Sequence, residues 1–255
     1  MEEFDDLLKE PDESGYLDLS HRAWSTLDDV LWTWGQQLIV LNVSFNNIKK
    51  ISSGIGELVL LREFDISNNS LEDLPLEIGF CARLKKIRLN GNRLKQLPGE
   101  LGNCKMLEEL IVSENALTLL PPTLGNIPTL RVLKASNNHL REVEPQICRC
   151  LALEEVDVQG NDTENVPNEL RGNTNMILWL CKRDKAQRQL VADLEGTVKE
   201  LENAARHQDE RKVQLQDKIQ VLNKEIKSLN DQMPKTYLKW QRRASSVSSK
   251  VCVIQ

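Results

Sequence analysis

The stretch Leu84-Lys85-Lys86-Ile87-Arg88-Leu89-Asn90-Gly91-Asn92-Arg93-Leu94 decides the fold. Its aliphatic side chains fall at 84, 87, 89 and 94, with Asn92 set inside the pattern. The 87/89 spacing is that of a short strand whose alternate side chains face one way. The Asn carboxamide both donates and accepts, so it can serve backbone groups that no ladder pairs where the chain leaves the strand. Working outward, the frame L-x-x-L-x-L-x-x-N-x-L opens at Leu38, Leu61, Leu84, Leu107, Leu130 and Leu153, each 23 residues after the last. The Asn positions are Asn46, Asn69, Asn92, Asn115, Asn138 and Asn161.

After most of these Asn residues comes an L-P-x-x-I/L element, as in Leu74-Pro75 with Ile78 and Leu97-Pro98 with Leu101. Six unbroken periods define a leucine-rich-repeat array. The expected fold class is therefore an α/β solenoid, an arc with a parallel sheet on its concave side. Each repeat buries its leucines only against its neighbours, so both ends need caps. Leu17-Asp18-Leu19 reads as a degenerate first strand, with Arg22 where Asn would sit. Trp24, Trp32 and Trp34 are expected to cover the N-terminal end, and Trp179 to close the last repeat.

The variable strand positions are the expected partner surface: Phe45, then Glu63 and Asp65, Lys86, Arg88 and Arg93, Glu109 and Ile111, Lys134 and His139, and Glu155 and Asp157. Their charge alternates from repeat to repeat. That striping suits a mixed-charge protein partner and suits nucleic acid poorly. Opposite charges on adjacent strands also pair with each other. Phe45 and Ile111 are the expected exposed apolar anchors. Cys81, Cys104 and Cys150 share one repeat position with Leu58 and Ile127 and read as small buried hydrophobes. Cys148 and Cys150 are spaced C-x-C with no nearby His, so no metal set is expected.

From Asn168 to Met233 the chain has no proline and turns rich in Gln, Lys, Glu and Leu, which favours helix. A heptad places Ile177, Asp184, Val191, Val198, Ala205, Lys212, Ile219, Ile226 and Met233 at a, and Leu180, Gln187, Leu194, Leu201, Gln208, Leu215, Leu222 and Leu229 at d. Unbroken, this is a coiled-coil helix of roughly 85 Å. Ile at a with Leu at d in its last part favours a parallel homodimer, with a heteromeric coil or a helix folded against the repeat array as the alternatives. Asp184/Gln187 and Ala205/Gln208/Lys212 are the polar interruptions of the seam.

The sequence ends Cys252-Val253-Ile254-Gln255, the C-a-a-X pattern for farnesylation of Cys252. The tail also carries Lys235, Lys239, Arg242, Arg243 and Lys250 and no acidic residue. It is thus +5 on a chain of net charge -5. One lipid chain anchors only marginally, and basic residues near an anionic leaflet supply the second signal. Tyr237 and Trp240 are suited to the interface. Arg242-Arg243-Ala244-Ser245 matches a basophilic kinase site, and phosphate on Ser245 is expected to weaken the tether. The expected organisation is an acidic N-terminus and cap (1–37), six repeats (38–172), a C-terminal cap and coiled-coil helix (173–233), and a basic disordered tail (234–255).

Composition narrows the function. Aromatics are only 4% of 255 residues, against an aromatic-rich single globule. The acidic balance is against a nucleic-acid binder. The start Met1-Glu2-Glu3-Phe4 lacks a secretory n- or h-region and a myristoylation glycine. There is no nucleophile elbow, H-E-x-x-H or phosphate loop, so an enzyme is not expected. No cofactor is expected beyond the covalent farnesyl group.

The six Leu frames and Asn46 through Asn161 resemble the Ras-group leucine-rich repeats of Ras suppressor proteins, erbin, scribble and plant intracellular relatives. The resemblance implies a non-catalytic scaffold, in several cases linked to small-GTPase signalling at membranes. The combined expectation is a cytoplasmic scaffold, dimerised by its coil and peripheral on a cytoplasmic membrane face. The alternatives are a structural component of a cytoskeletal or ciliary assembly, and a regulatory subunit of a phosphatase or ubiquitin ligase.

Overall fold

The computed structural model describes residues 10–206 and 212–231. The N-terminal cap and each of the six repeats contribute one three-residue strand: β1 (Tyr16–Asp18), β2 (Val40–Asn42), β3 (Glu63–Asp65), β4 (Lys86–Arg88), β5 (Glu109–Ile111), β6 (Val132–Lys134) and β7 (Glu155–Asp157). They form one parallel sheet in sequence order. From β2 onward the register is the sequence period itself, Val40 facing Glu63, Glu63 facing Lys86, and so on to Glu155. The degenerate strand pairs as expected, Leu17 opposite Leu41.

The centre of every strand is buried (Leu17, Leu41, Phe64, Ile87, Leu110, Leu133 and Val156), and the residues on either side face outward. Between strands the chain makes 3-10 turns at Ser53–Glu57, Leu76–Phe80, Gly99–Asn103, Pro122–Asn126 and Pro145–Arg149. Pro75, Pro98 and Pro121 stand immediately before three of them. Proline fits there because its φ is fixed and it has no N–H to leave unpaired. Turn and strand enclose one continuous aliphatic core. Burying each such side chain contributes about 1.5–3 kcal/mol.

The N-terminal cap forms from the expected tryptophans. The short helix α1 (Val30–Thr33) carries Trp32, which is buried and donates its indole N–H to Asp29 Oδ1 at 2.9 Å. Its ring lies over Gly54, where a Cβ would sit 2.4 Å from Trp32 Cδ1. Trp24 and Trp34 pack, partly buried, on the core.

At the other end the expectation for Trp179 is corrected. It is 54% exposed, while Ile177, Leu180 and Cys181 on the same helix join the core. The helical period decides this: the inward stripe of that turn runs through 177, 180 and 181, and 179 falls off it.

The chain divides into two compact units at Cys181/Lys182. α2 (Thr174–Arg206) begins in the first and runs through the second, where α3 (Lys212–Asp231) also lies. Within the second unit the two helices run antiparallel. Gln187 Nε2 donates to Leu229 O at 3.4 Å, and Leu201 and Leu222 line one shared cavity. The heptad run is therefore two helices rather than one of 85 Å. The division falls at the seam's poorest stretch, Ala205 to Lys212, where an apolar stripe gives least support. The heptad positions are nonetheless the ones that turn inward. Val191 and Val198 are buried, and Leu194, Leu201, Ile219, Leu222, Ile226 and Leu229 are half-buried. No described helix is long and apolar enough to cross a membrane.

Candidate partner-binding face

The Asn ladder fixes the geometry of the outward face. In the inner repeats each Asn binds both its own turn and the repeat before it. Asn115 donates through Nδ2 to Leu89 O (2.9 Å), Val112 O (3.1 Å) and Ser113 O (3.1 Å), and its Oδ1 accepts from the Leu94 N–H at 3.0 Å. Asn69, Asn92, Asn138 and Asn161 repeat this scheme. Asn46 accepts instead from the N–H groups of Arg22 and Trp24, so Arg22 enters the ladder through its backbone.

Held this way, the strands present two outward columns. One reads Tyr16, Val40, Glu63, Lys86, Glu109, Val132, Glu155. The other reads Asp18, Asn42, Asp65, Arg88, Ile111, Lys134, Asp157. The charge striping is largely internal pairing between neighbouring strands: Lys86 with Glu63 (3.4 Å), Arg88 with Glu109 (3.2 Å) and Lys134 with Glu155 (2.9 Å). Partly exposed pairs of this kind each contribute well under about 1 kcal/mol. Asp65 and Asp157 serve turns instead, accepting from the backbone N–H of Ser67 (2.9 Å) and Gln159 (3.0 Å).

Asp18 likewise accepts from the Ser20 N–H (2.9 Å) and from the Tyr16 hydroxyl (3.2 Å). Partial burial works to raise its pKa. The hydrogen bonds from Ser20, Tyr16 and Asn42 outweigh that and hold the carboxyl below its ordinary value. The carboxylate is then the native form at neutral pH. The stability it contributes is present above its unfolded pKa and is lost as pH falls through the lower folded one.

The structure separates the expected face residues. Glu63, Asp65, Lys86, Arg88, Glu109, Ile111, Lys134, Glu155 and Asp157 stand together on the strands. Arg93 and His139 do not: each follows its ladder Asn, beyond the strand, on the turn that leaves the sheet. Ile111 is half-buried, in register between Arg88 and Lys134. Phe45 is 51% exposed.

Phe45 belongs to a row that the sequence pattern does not reveal. The residue before each ladder Asn has positive φ at every repeat: Phe45 (54°), Asn68 (54°), Gly91 (67°), Glu114 (57°), Asn137 (52°) and Gly160 (66°). Asn and Gly tolerate this region, and other residues carry a cost of about 1–2 kcal/mol. Phe45 stacks on His21, itself at φ 56°, with ring centroids 4.5 Å apart and planes 8° from parallel.

The shared cysteine position is apolar core, as its neighbours in the repeat foretell. Cys81, Cys104 and Cys150 are buried, and each thiol donates to a carbonyl of the preceding repeat, of Ile55, Ile78 and Leu124 respectively. Burial pushes the Cys81 pKa up to about 12 and those of Cys104 and Cys150 to about 11. Iodoacetamide at pH 8 should therefore leave these three unmodified in the folded chain and alkylate the part-exposed Cys148. Peptide mass mapping reads the outcome, and labelling of Cys104 at the rate of Cys148 contradicts the packing. Among the described residues no group of three or more His, Cys, Asp or Glu is placed to hold a metal ion.

Comparison with known proteins agrees with this architecture. A family model described as Leucine Rich Repeat matches residues 60–81. No curated protein sequence matches. Among solved structures, a leucine-rich-repeat protein of Leptospira interrogans is 26% identical with a TM-score of 0.59, over 64% of this chain and 40% of that one. The leucine-rich-repeat ectodomain of the plant membrane receptor kinase GASSHO1/SCHENGEN3 from Arabidopsis thaliana, in complex with CASPARIAN STRIP INTEGRITY FACTOR 2, is 27% identical with a TM-score of 0.50, over 53% of this chain and 17% of that one. The chain thus spans less than half the length of either. The fold is a leucine-rich-repeat solenoid followed by a long helix, an architecture that points to protein binding.

Proposed function

We propose that this chain is a non-catalytic protein-binding scaffold, tethered to a cytoplasmic membrane face by farnesylation and contributing to signalling of the small-GTPase type. The outward sheet carries the binding half of this reading. It is a broad surface of half-exposed side chains whose backbone is fixed by the Asn ladder, so a partner meets a preorganised face. The likeness to a receptor ectodomain solved with its ligand supports the same use of the arc.

The tether rests on Cys252 in the sequence Cys-Val-Ile-Gln and on the basic residues Lys235 to Lys250, all of which lie outside the described residues. A prenyl transferase joins the Cys252 sulfur to the farnesyl carbon of farnesyl diphosphate, and diphosphate leaves. Removal of Val253, Ile254 and Gln255 then exposes the lipidated end. Ser245, in the same tail, is the proposed site of phosphate that weakens adhesion. Dimerisation through the heptad seam belongs to this reading, supported by Ile219, Leu222, Ile226 and Leu229 remaining only half-buried beside α2.

Intact mass of the protein expressed in a eukaryotic cell, beside a Cys252→Ser control, tests the tether. A mass shift matching farnesylation, loss of Val253 to Gln255 and carboxyl methylation is expected for the parent and absent from the control. An unmodified parent removes the membrane from the reading and favours a scaffold of the coiled-coil structural kind.

A further inference from the structure

The first three strands differ from the rest of the face. Their outward columns read Tyr16, Val40, Glu63 and Asp18, Asn42, Asp65, with no cation. Glu63 is engaged by Lys86. Among the described residues, neither Asp18 nor Asp65 has a Lys or Arg within ion-pair distance. The two carboxylates flank Asn42, one strand to either side. Adjacent strands lie about 4.8 Å apart, so the carboxylate positions are separated by roughly 10 Å across Asn42.

Three residues further along the same chain stands Phe45, roughly 10 Å away by strand rise. A phenyl ring at this rim position is costly on two counts. Its φ is positive where Asn or Gly serves four of the six repeats, and half its surface is in water. Phe45 keeps one side against His21, and Asn68 on the other side leans away toward Gly91. The positive φ is a feature of every repeat, but a half-exposed phenyl ring at that position, beside carboxylates that lack cations, is an arrangement that folding alone does not require.

We infer that this end of the face binds an extended peptide segment that sets an arginine over Asn42, between Asp18 and Asp65, and a planar side chain on the Phe45–His21 stack about three residues away. The inference rests on the scaffold reading above and deepens it by naming the partner's chemistry. A guanidinium fork suits carboxylates on either side, and its planar cation also suits a ring nearby. An acidic segment is repelled here. The remaining faces of β4 to β7 offer cations already engaged by Glu109 and Glu155.

The test titrates the full chain, labelled with 15N, with the capped peptide acetyl-Arg-Ser-Ser-Trp-amide. Two control peptides replace Arg by Glu or Trp by Gly. Amide shifts are expected at residues 18–21, 42–46 and 65–68. Asp65→Asn and Phe45→Asn should each weaken binding about tenfold, and Lys134→Gln should leave it unchanged. Thermal melts of Phe45→Asn separate recognition from packing. Asn relieves the backbone and loses the stack, so Tm should hold or rise by about 2 °C.

A fall in Tm of more than about 5 °C would make the ring a packing residue and overturn the inference. So would equal binding of the Glu peptide, or of the Phe45→Asn variant. Shifts confined to β4–β6 would refute this chemistry and leave the scaffold reading standing. If no peptide moves any outward-face amide, the inference fails and the scaffold reading is left to its own test.

Discussion

Asn115→Ala should lower the Tm of the repeat unit by roughly 10 °C, the largest effect expected of a single side chain in the array. The reason is what remains behind. Asn115 is buried, and the alanine chain would retain an unpaired Leu94 N–H in the preceding repeat and leave the Leu89 carbonyl to Asn92 Nδ2 alone. Each buried, unsatisfied backbone group costs about 1–3 kcal/mol. The loss therefore falls on the interface between two repeats, from which an array draws its stability. Asn115→Asp separates the donor role from the acceptor role. The carboxylate still accepts from Leu94 but confronts three carbonyls with negative charge, so it should be no better than alanine at pH 7. A melt followed by circular dichroism reads the effect. A change under about 2 °C for Asn115→Ala would mean that water replaces the carboxamide and that the ladder is not an interface element.

Arg171→Met should open the C-terminal end and lower Tm by about 5–8 °C, although the substitution keeps most of the side chain's apolar stem. In the inner repeats the carbonyl two residues past the ladder Asn accepts a backbone N–H from the next repeat: Ile48 from Ser70, Leu71 from Arg93, Leu94 from Ala116, Leu117 from His139. Thr163 holds that place in the last repeat, where no further repeat follows. The Arg171 guanidinium donates to it at 2.9 Å, and also to the carbonyls of Asn161 and Val166. The backbone of the same residue completes the sheet edge. Val158 N–H donates to Arg171 O at 3.1 Å, where inner strands find the next strand, and Val156 N–H donates to Thr174 Oγ1 at 2.8 Å. Hydrogen bonds from a charged donor contribute about 1.5–3 kcal/mol each when their partners are otherwise unserved. Amide hydrogen exchange localises the effect. Val156 and Val158 should lose protection before residues of β3 and β4, and uniform loss across the array would assign Arg171 no special place at the end.

The two residues differ in how they could be found. Asn115 recurs every 23 residues, and periodicity exposes it in the sequence. Arg171 occurs once, at an end where the period has stopped, and nothing in its local sequence distinguishes it from other surface arginines. Trp179 was the more conspicuous candidate on size and hydrophobicity, but the helical stripe through Ile177, Leu180 and Cys181 turns it toward solvent. The row of positive φ values was hidden for a related reason. Asn68, Gly91, Asn137 and Gly160 hint at it, but Phe45 and Glu114 interrupt the signal, because backbone pairing to the next repeat holds them there.

The sequence by itself determined the solenoid, its six-repeat register, the inward leucines and cysteines, and the outward columns. All of these follow from a period that places like residues on like positions, and each repeat meets only its neighbours. The heptad seam was likewise legible, since the same a and d positions turn inward on α2 and α3. Tertiary structure decided the rest: that α3 returns along α2, that the striped charges are mostly spent on one another, that Arg171 replaces a missing repeat, and that Phe45 lies on His21. Each depends on where a chain ends, reverses or meets a neighbour in three dimensions, and no spacing rule along the chain specifies those contacts.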